Sequence, residues 1–212
     1  MRRSATRRGQ ARRATGACFP RLYDAVMAAA ERGALGRWRR DVVRPAGGRV
    51  LEVGAGTGLD FPHYAAGAAV VATDRSYEML ARSRARLAGA AARIELVVAD
   101  AEALPFRDGA FDDAVVGLAM CTIPRPPVAL AELRRVLRQG GALRMLEHVR
   151  LEHPLFGRLQ DWLTPVWRRV AGGCRLDRRT VRSVADAGFA LESVGRELGG
   201  YVVRILARKT DG

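Results

Sequence analysis

Residues 50–60 read Val50-Leu51-Glu52-Val53-Gly54-Ala55-Gly56-Thr57-Gly58-Leu59-Asp60. A short apolar run enters glycines at alternate positions, which predicts a buried strand, a tight turn and a helix over residues 59–64. Glycine permits the turn and lets a ligand approach bare backbone, and the start of a helix offers free N–H groups to an anion. A dinucleotide loop of the form G-x-G-x-x-G needs glycine at position 59, where Leu59 stands. The spacing is instead G-x-G-x-G, with Glu52 two residues ahead of the first glycine.

Working outward, the same alternation repeats. Apolar runs recur at Val70–Thr73, Ile94–Ala99, Ala114–Val116 and Ala142–Leu146, with helix candidates at Ser76–Leu87 and Pro127–Leu137 between them. The second candidate is expected to stop at Gly140-Gly141 before the next strand starts. Near-continuous apolar strands alternating with helices predict an α/β fold with a parallel sheet covered on both faces. Right-handed crossovers make it an open, doubly wound sheet. Beyond it, Leu155–Val170 reads as an amphipathic helix ended or kinked by Pro165, and Arg179–Ala187 as a short helix. Phe189–Val194 and Tyr201–Ala207, joined through Gly199-Gly200, read as an antiparallel pair at one edge. The expected fold is a seven-stranded, mostly parallel sheet with a C-terminal antiparallel strand. Upstream of the glycine loop, Phe19–Val43 reads as helical, its apolar residues recurring at steps of three and four.

At 212 residues and 49% apolar content the chain has enough material for one packed core, which excludes a disordered chain. The longest apolar stretch, Ala114–Pro124, is shorter than the roughly 20 residues of a helical membrane span. The 36 Lys+Arg against 22 Asp+Glu give a net charge of +14, and six of those arginines lie in the first 17 residues. Residues 1–17 are therefore expected to be a disordered arginine-rich arm, and residues 18–212 a single domain. Lys209 is the one lysine, an imbalance that reads as coding bias rather than selection for phosphate, so no nucleic-acid partner is expected. Cys18, Cys121 and Cys174 are widely spaced and form no CxxC pattern, so neither a disulfide framework nor a metal site is expected.

Asp74 closes the second strand twenty positions after Gly54, where a carboxylate accepts ribose hydroxyls. Asp100-Ala101-Glu102-Ala103-Leu104-Pro105-Phe106 follows the third strand. In register, these segments resemble the class I S-adenosylmethionine (SAM) methyltransferases of the type 11 and UbiE-like group. The resemblance implies a Rossmann-like fold and SAM as cofactor. It also implies cofactor contacts at Glu52, Gly54, Ala55, Gly56, Gly58, Asp74, Arg75, Asp100, Ala101 and Glu102. Glu52 would face the methionine part, Asp74 the ribose and the Asp100 segment the adenine.

Further motifs narrow the resemblance: Leu118-Ala119-Met120-Cys121-Thr122-Ile123-Pro124, Met145-Leu146-Glu147-His148-Val149 and Gly173-Cys174-Arg175-Leu176-Asp177-Arg178. They look like the branch of small methyltransferase-like proteins that includes alkyl-thiol methyltransferases, with bacterial relatives described as phospholipid or quinone methyltransferases. Where mammalian members carry an apolar N-terminal anchor, this chain carries the arginine arm.

His148, just past the fifth strand, reads as the general base or as a packed structural histidine. His63, His153 and Asp100 are weaker base candidates, and Cys121 reads as packing. Core is the default for a stripe such as Leu155, Phe156, Leu159, Trp162, Leu163, Val166 and Trp167, but beside the active-site edge the favoured reading is a roof over an apolar pocket, ahead of a face laid on a membrane surface with Arg168 and Arg169 at its end. The expected acceptor is a small or lipid-like apolar molecule: a thiol, a phospholipid amine or a quinone. The expected location is the cytoplasm, with peripheral membrane contact as the alternative. Two other readings are an RNA or protein methyltransferase, suggested by charge alone, and a SAM-binding protein without turnover. Against the first, no Asn-Pro-Pro-Tyr-like motif follows the fourth strand.

Overall fold

The computed structural model describes residues 31–210. The expectations for the arginine arm and for a helix over residues 19–30 lie outside the described residues. Seven strands form one sheet: β1 (Arg49–Val53), β2 (Ala69–Asp74), β3 (Arg93–Val98), β4 (Phe111–Gly117), β5 (Leu137–His148), β6 (Phe189–Glu197) and β7 (Val202–Lys209), in the order β3-β2-β1-β4-β5-β7-β6. β7 runs antiparallel to both of its neighbours, and the other pairings are parallel. The helices are α1 (Ala34–Val43), α2 (Tyr77–Leu87), α3 (Pro126–Val136), α4 (Pro154–Val170) and α5 (Thr180–Asp186).

Alternation along the strands divides the core into two layers. Leu51, Ala114, Leu143 and Ala207 stand in register, as do Val53, Val116, Met145 and Ile205. Both rows face Ala129, Leu130, Leu133 and Val136 of α3 and Val184 of α5. The alternate residues Val50, Val70, Ala72 and Val115 pack with Val43 of α1 and Leu80 of α2. Each fully buried large side chain in these layers contributes about 1.5–3 kcal/mol. The helix ends follow local chemistry. Ser76 Oγ accepts from Met79 N at 3.2 Å to cap α2, with Glu78 in its first turn. Pro126 opens α3 where an amide would be unpaired in any case.

Four expectations are corrected. Residues 59–64 form only a single 3-10 turn, Phe61–His63, because Pro62 brings no donor and Tyr64 turns to extended backbone. α3 ends at Val136 and β5 begins at Leu137, ahead of Gly140-Gly141. Those glycines sit in a bulge where the pairing jumps from Phe111–Leu137 to Asp113–Ala142. The apolar stripe of α4 is not core. Gly157, Gln160 and Thr164 face the protein while most of the stripe faces outward, with Trp162 76% and Leu155 69% exposed, and Trp167 reaches the Cys174 thiol. α4 also continues through Pro165, since the Asp161 carbonyl deprived of its helical partner lies on the exposed side.

Candidate active site

The chain order reverses between β1 and β4, and doubly wound sheets bind ligands outside the carboxyl ends of strands at such a point. There the backbone turns at Gly54 with φ +75°, and a Cβ on Gly54 would lie 2.3 Å from the Ala119 Cβ. The loops after β1 and β4 therefore pack in direct contact. Gly56 differs: a Cβ there would meet nothing nearer than Met79 Cε at 3.8 Å, so its backbone is open on the side where a ligand would lie.

The loop amides are committed inward. Gly54 N and Ala55 N donate to Thr73 O, Gly58 N donates to Ala55 O, and Gly56 N donates to Asp74 Oδ2 at 2.9 Å. With these bonds made and only a 3-10 turn beyond, the expected anion-binding helix start is absent from this loop. Asp74 holds the neighbouring loop too, accepting from Ser76 N through Oδ1 at 2.8 Å. Burial raises its pKa, and the amides of Ser76, Gly56 and Arg75 work against that. The carboxylate keeps acceptor capacity beyond these amides for a hydroxyl.

Glu52 is 1% exposed and belongs to a buried polar network. Its Oε2 accepts from the Tyr64 hydroxyl at 2.9 Å, while Oε1 has no hydrogen-bond partner. Burial and the nearby Asp60 carboxylate push its pKa well above the usual carboxylate range. Asp60 is ion-paired with the buried Arg39 of α1, which also binds Glu31 at 2.7 Å. Sequence reading missed this Arg39–Asp60 pair, because the partners are 21 residues apart on separate elements.

At the end of β3, Asp100 Oδ1 accepts from Glu102 N at 3.0 Å and closes a turn containing Ala101. Glu102 bonds Arg125 instead of facing the cleft, at 2.6 Å to its amide and 2.7 Å to its guanidinium, bracing this turn to the start of α3. Arg75 is exposed, and its charge reaches Glu102.

A second cluster occupies the ends of β4 and β5. Leu118 takes a left-handed conformation, φ +55°, unusual for a branched side chain. The turn directs Ala119 N and Met120 N at the buried Glu147 Oε1, both at 2.9 Å. Glu147 Oε2 is buried without a partner, and burial raises this carboxyl to about 7 against those two amides. His148 Nε2 lies 3.1 Å from Cys174 Sγ, and its ring stacks on Tyr201 at 5.6 Å. Burial alone would lower the His148 pKa, but the hydrogen bond and charge of Cys174, and then Glu147, raise it. Hydrogen bonding from Cys121, and then from His148 and Trp167, holds the Cys174 thiol well below its ordinary value despite burial. The Cys121 thiol is pushed up by Cys174 and by burial.

The loop bearing Cys174 is clamped from α4. Gln160 accepts from Leu151 N at 2.7 Å and donates to Val149 O and Leu176 O. A Cβ on Gly157 would lie 2.7 Å from Leu151 O, so that helix face must be small. The polar side of α4 is thus fixed to the segment after His148. Of the weaker histidines, His153 caps α4 against the Phe156 ring, and His63 lies in the turn under the glycine loop. The structure brings Cys121 and Cys174 to His148, a meeting the sequence motifs contain but their spacing does not announce.

Comparison with known proteins bears on the fold and the domain. Residues 51–145 match the family described as Methyltransferase domain. The chain is 42% identical over 108 residues to a phosphatidylethanolamine N-methyltransferase of Cereibacter sphaeroides, covering 50% of this chain and 53% of that protein. It is 39% identical over 140 residues to a demethylmenaquinone methyltransferase of Renibacterium salmoninarum, covering 64% and 56%. To the thiol S-methyltransferase TMT1B of Homo sapiens it is 32% identical over 145 residues, covering 66% and 59%. The chain therefore spans little more than half the length of these curated relatives. A SAM-dependent methyltransferase structure from Aquifex aeolicus shares the fold with a TM-score of 0.64 at 18% identity, over 91% of this chain and 98% of that one. Strand order, glycine loop and matched domain agree: residues 51–145 match the methyltransferase domain family, and the fold is shared with a solved SAM-dependent methyltransferase.

Proposed function

We propose that the chain transfers a methyl group from SAM to a small or lipid-like apolar acceptor: a thiol, a phospholipid amine or a quinone. The observation that carries the acceptor's class is the outward apolar face of α4, anchored by Gln160 to the segment that follows His148. Bound SAM supplies an electrophilic methyl group on its sulfonium. The residues at the cleft fit that cofactor: open backbone at Gly56, hydroxyl acceptors on Asp74 and an unpaired buried oxygen on Glu52. In this reading Glu52, Gly54, Ala55, Gly56, Gly58, Asp74, Arg75, Asp100 and Ala101 hold the cofactor, and Glu102 fixes the adenine-side turn through Arg125. The His148–Cys174 pair, joined through Nε2 and Sγ, accepts the acceptor's proton. Holding the acceptor in line and excluding water contributes about 7–11 kcal/mol in well-oriented systems.

The exposed stripe beside Arg158, Arg168 and Arg169 is also the pattern of a helix lying in an anionic membrane surface, from which a lipid-like acceptor would enter. No helix among the described residues is long and apolar enough to cross a membrane. The test is product detection with methyl-labelled SAM, offering an alkyl thiol, phosphatidylethanolamine and a demethylated quinone in parallel. Labelled product from one of them supports the reading and names the atom methylated. SAM binding with no product from any of the three overturns it in favour of a binding protein.

A further inference from the structure

Cys121 follows β4, His148 ends β5 and Cys174 lies in the loop after α4, yet Cys121 Sγ, His148 Nε2 and Cys174 Sγ all lie within 4.8 Å of one another. A tetrahedral zinc ion with bonds of roughly 2.0–2.3 Å places its sulfur and nitrogen ligands about 3.5–3.8 Å apart. The three donor atoms are therefore within a few tenths of an ångström to an ångström of that arrangement. We propose that Cys121, His148 and Cys174 bind a thiophilic divalent cation, zinc by its chemistry, through three protein ligands, leaving the fourth position open.

The donor set is the soft sulfur and imidazole type that suits zinc and disfavours magnesium or calcium. The backbone holds the ligands in place: Arg175 N donates to Cys121 O at 3.1 Å, joining the two cysteine-bearing loops directly. Glu147 anchors the Cys121 loop through Ala119 N and Met120 N.

An open fourth position is the feature that separates catalytic from structural zinc sites. Resting on the function proposed above, that position takes the sulfur of a thiol acceptor. On coordination the thiol releases its proton to water, and the sulfur is held as a thiolate at the end of the loop whose Ala119 packs against Gly54. With the ion bound, His148 acts as a ligand and coordination takes over the deprotonation assigned to it above.

The experiment titrates the full chain with Co²⁺, as a spectroscopic stand-in for zinc, in a phosphine reductant that keeps both thiols reduced. One equivalent should bind, giving a sulfur-to-cobalt charge-transfer band and the intense visible bands of a four-coordinate ion, and Zn²⁺ should displace it. Cys121→Ser and Cys174→Ser should each remove about half of the charge-transfer intensity, and the double variant all of it. His148→Ala should weaken binding at least tenfold. Circular dichroism and SAM binding check that each variant is folded. Adding ethanethiol to the cobalt-loaded chain should raise the charge-transfer intensity by about half, as a third sulfur coordinates. No band in the wild type, or a band that survives in the folded double variant, overturns the site. An unchanged band on adding ethanethiol overturns the acceptor role. A chain that methylates none of the acceptors yet shows the band fails the proposed function while the metal site stands.

Discussion

Along one carboxyl edge, the two sides of the sheet are built differently. At the ends of β1 and β2 the protein presents backbone: Gly56 is open, and the Asp74 carboxylate is fixed by the amides of Gly56 and Ser76. At the ends of β4 and β5 it presents side chains, with Cys121, His148 and Cys174 converging from three separate segments. A surface made of backbone requires glycine at set positions and so leaves a contiguous pattern in the chain. A cluster of side chains requires only the right residue at the end of each element, and no spacing rule marks it.

The largest effect expected on the glycine-loop side is that of Asp74→Ala. Losing a charged acceptor costs about 3 kcal/mol, a weakening of SAM binding of about a hundredfold. Isothermal calorimetry checks this, and unchanged affinity would remove Asp74 from the cofactor site.

Gly54→Ala tests the contact between the two sides. The new methyl would lie 2.3 Å from the Ala119 Cβ at a backbone φ of +75°. A cost of about 1–3 kcal/mol is expected from the conformational strain. Urea denaturation reads the stability. SAM affinity should fall as well, because the loop must shift to relieve the clash.

A pH effect follows from Glu52. Its folded pKa is raised well above the ordinary carboxylate value of 4.5 by burial and by Asp60, so the folded chain keeps a proton that the unfolded chain has lost. This group therefore favours folding in acid and withdraws that contribution as pH rises above about 4.5 toward the folded pKa. Glu52→Gln removes the titration, so its stability relative to wild type should increase across that window in denaturation measured from acid to neutral pH. A constant difference between the two proteins would contradict a protonated Glu52.

The smallest effect concerns α4. Trp162→Ser should change folding stability by less than about 0.5 kcal/mol, since the ring is 76% exposed. Sedimentation with phosphatidylglycerol vesicles should nevertheless show association weakened several-fold. Equal sedimentation would remove the membrane-facing role of the helix.

These differences also explain what was legible in the chain. The inner strands were, because strands covered on both faces are nearly unbroken apolar runs, as at Val50–Val53 and Ala114–Val116. Asp74 and the glycines were legible for the reason given above. The helix expected over residues 59–64 was not, since Pro62 reduces it to one 3-10 turn. For α4, periodicity identified an apolar face but carried no information about its direction. Gln160 and Thr164 bury the polar side because backbone groups at Val149, Leu151 and Leu176 need partners there. The cysteines, read singly, gave no sign of meeting, because their proximity is a product of the strand order.

The division of labour between the two sides is tested most directly by measuring SAM affinity and methyl transfer in His148→Ala alongside Asp74→Ala. His148→Ala should retain SAM affinity within about twofold while losing at least tenfold in turnover, the range of a proton-transfer or metal-supporting group. Asp74→Ala should lose the affinity itself. If His148→Ala weakens SAM binding as much as Asp74→Ala does, or leaves turnover intact, the assignment of the β4–β5 side to the acceptor is contradicted.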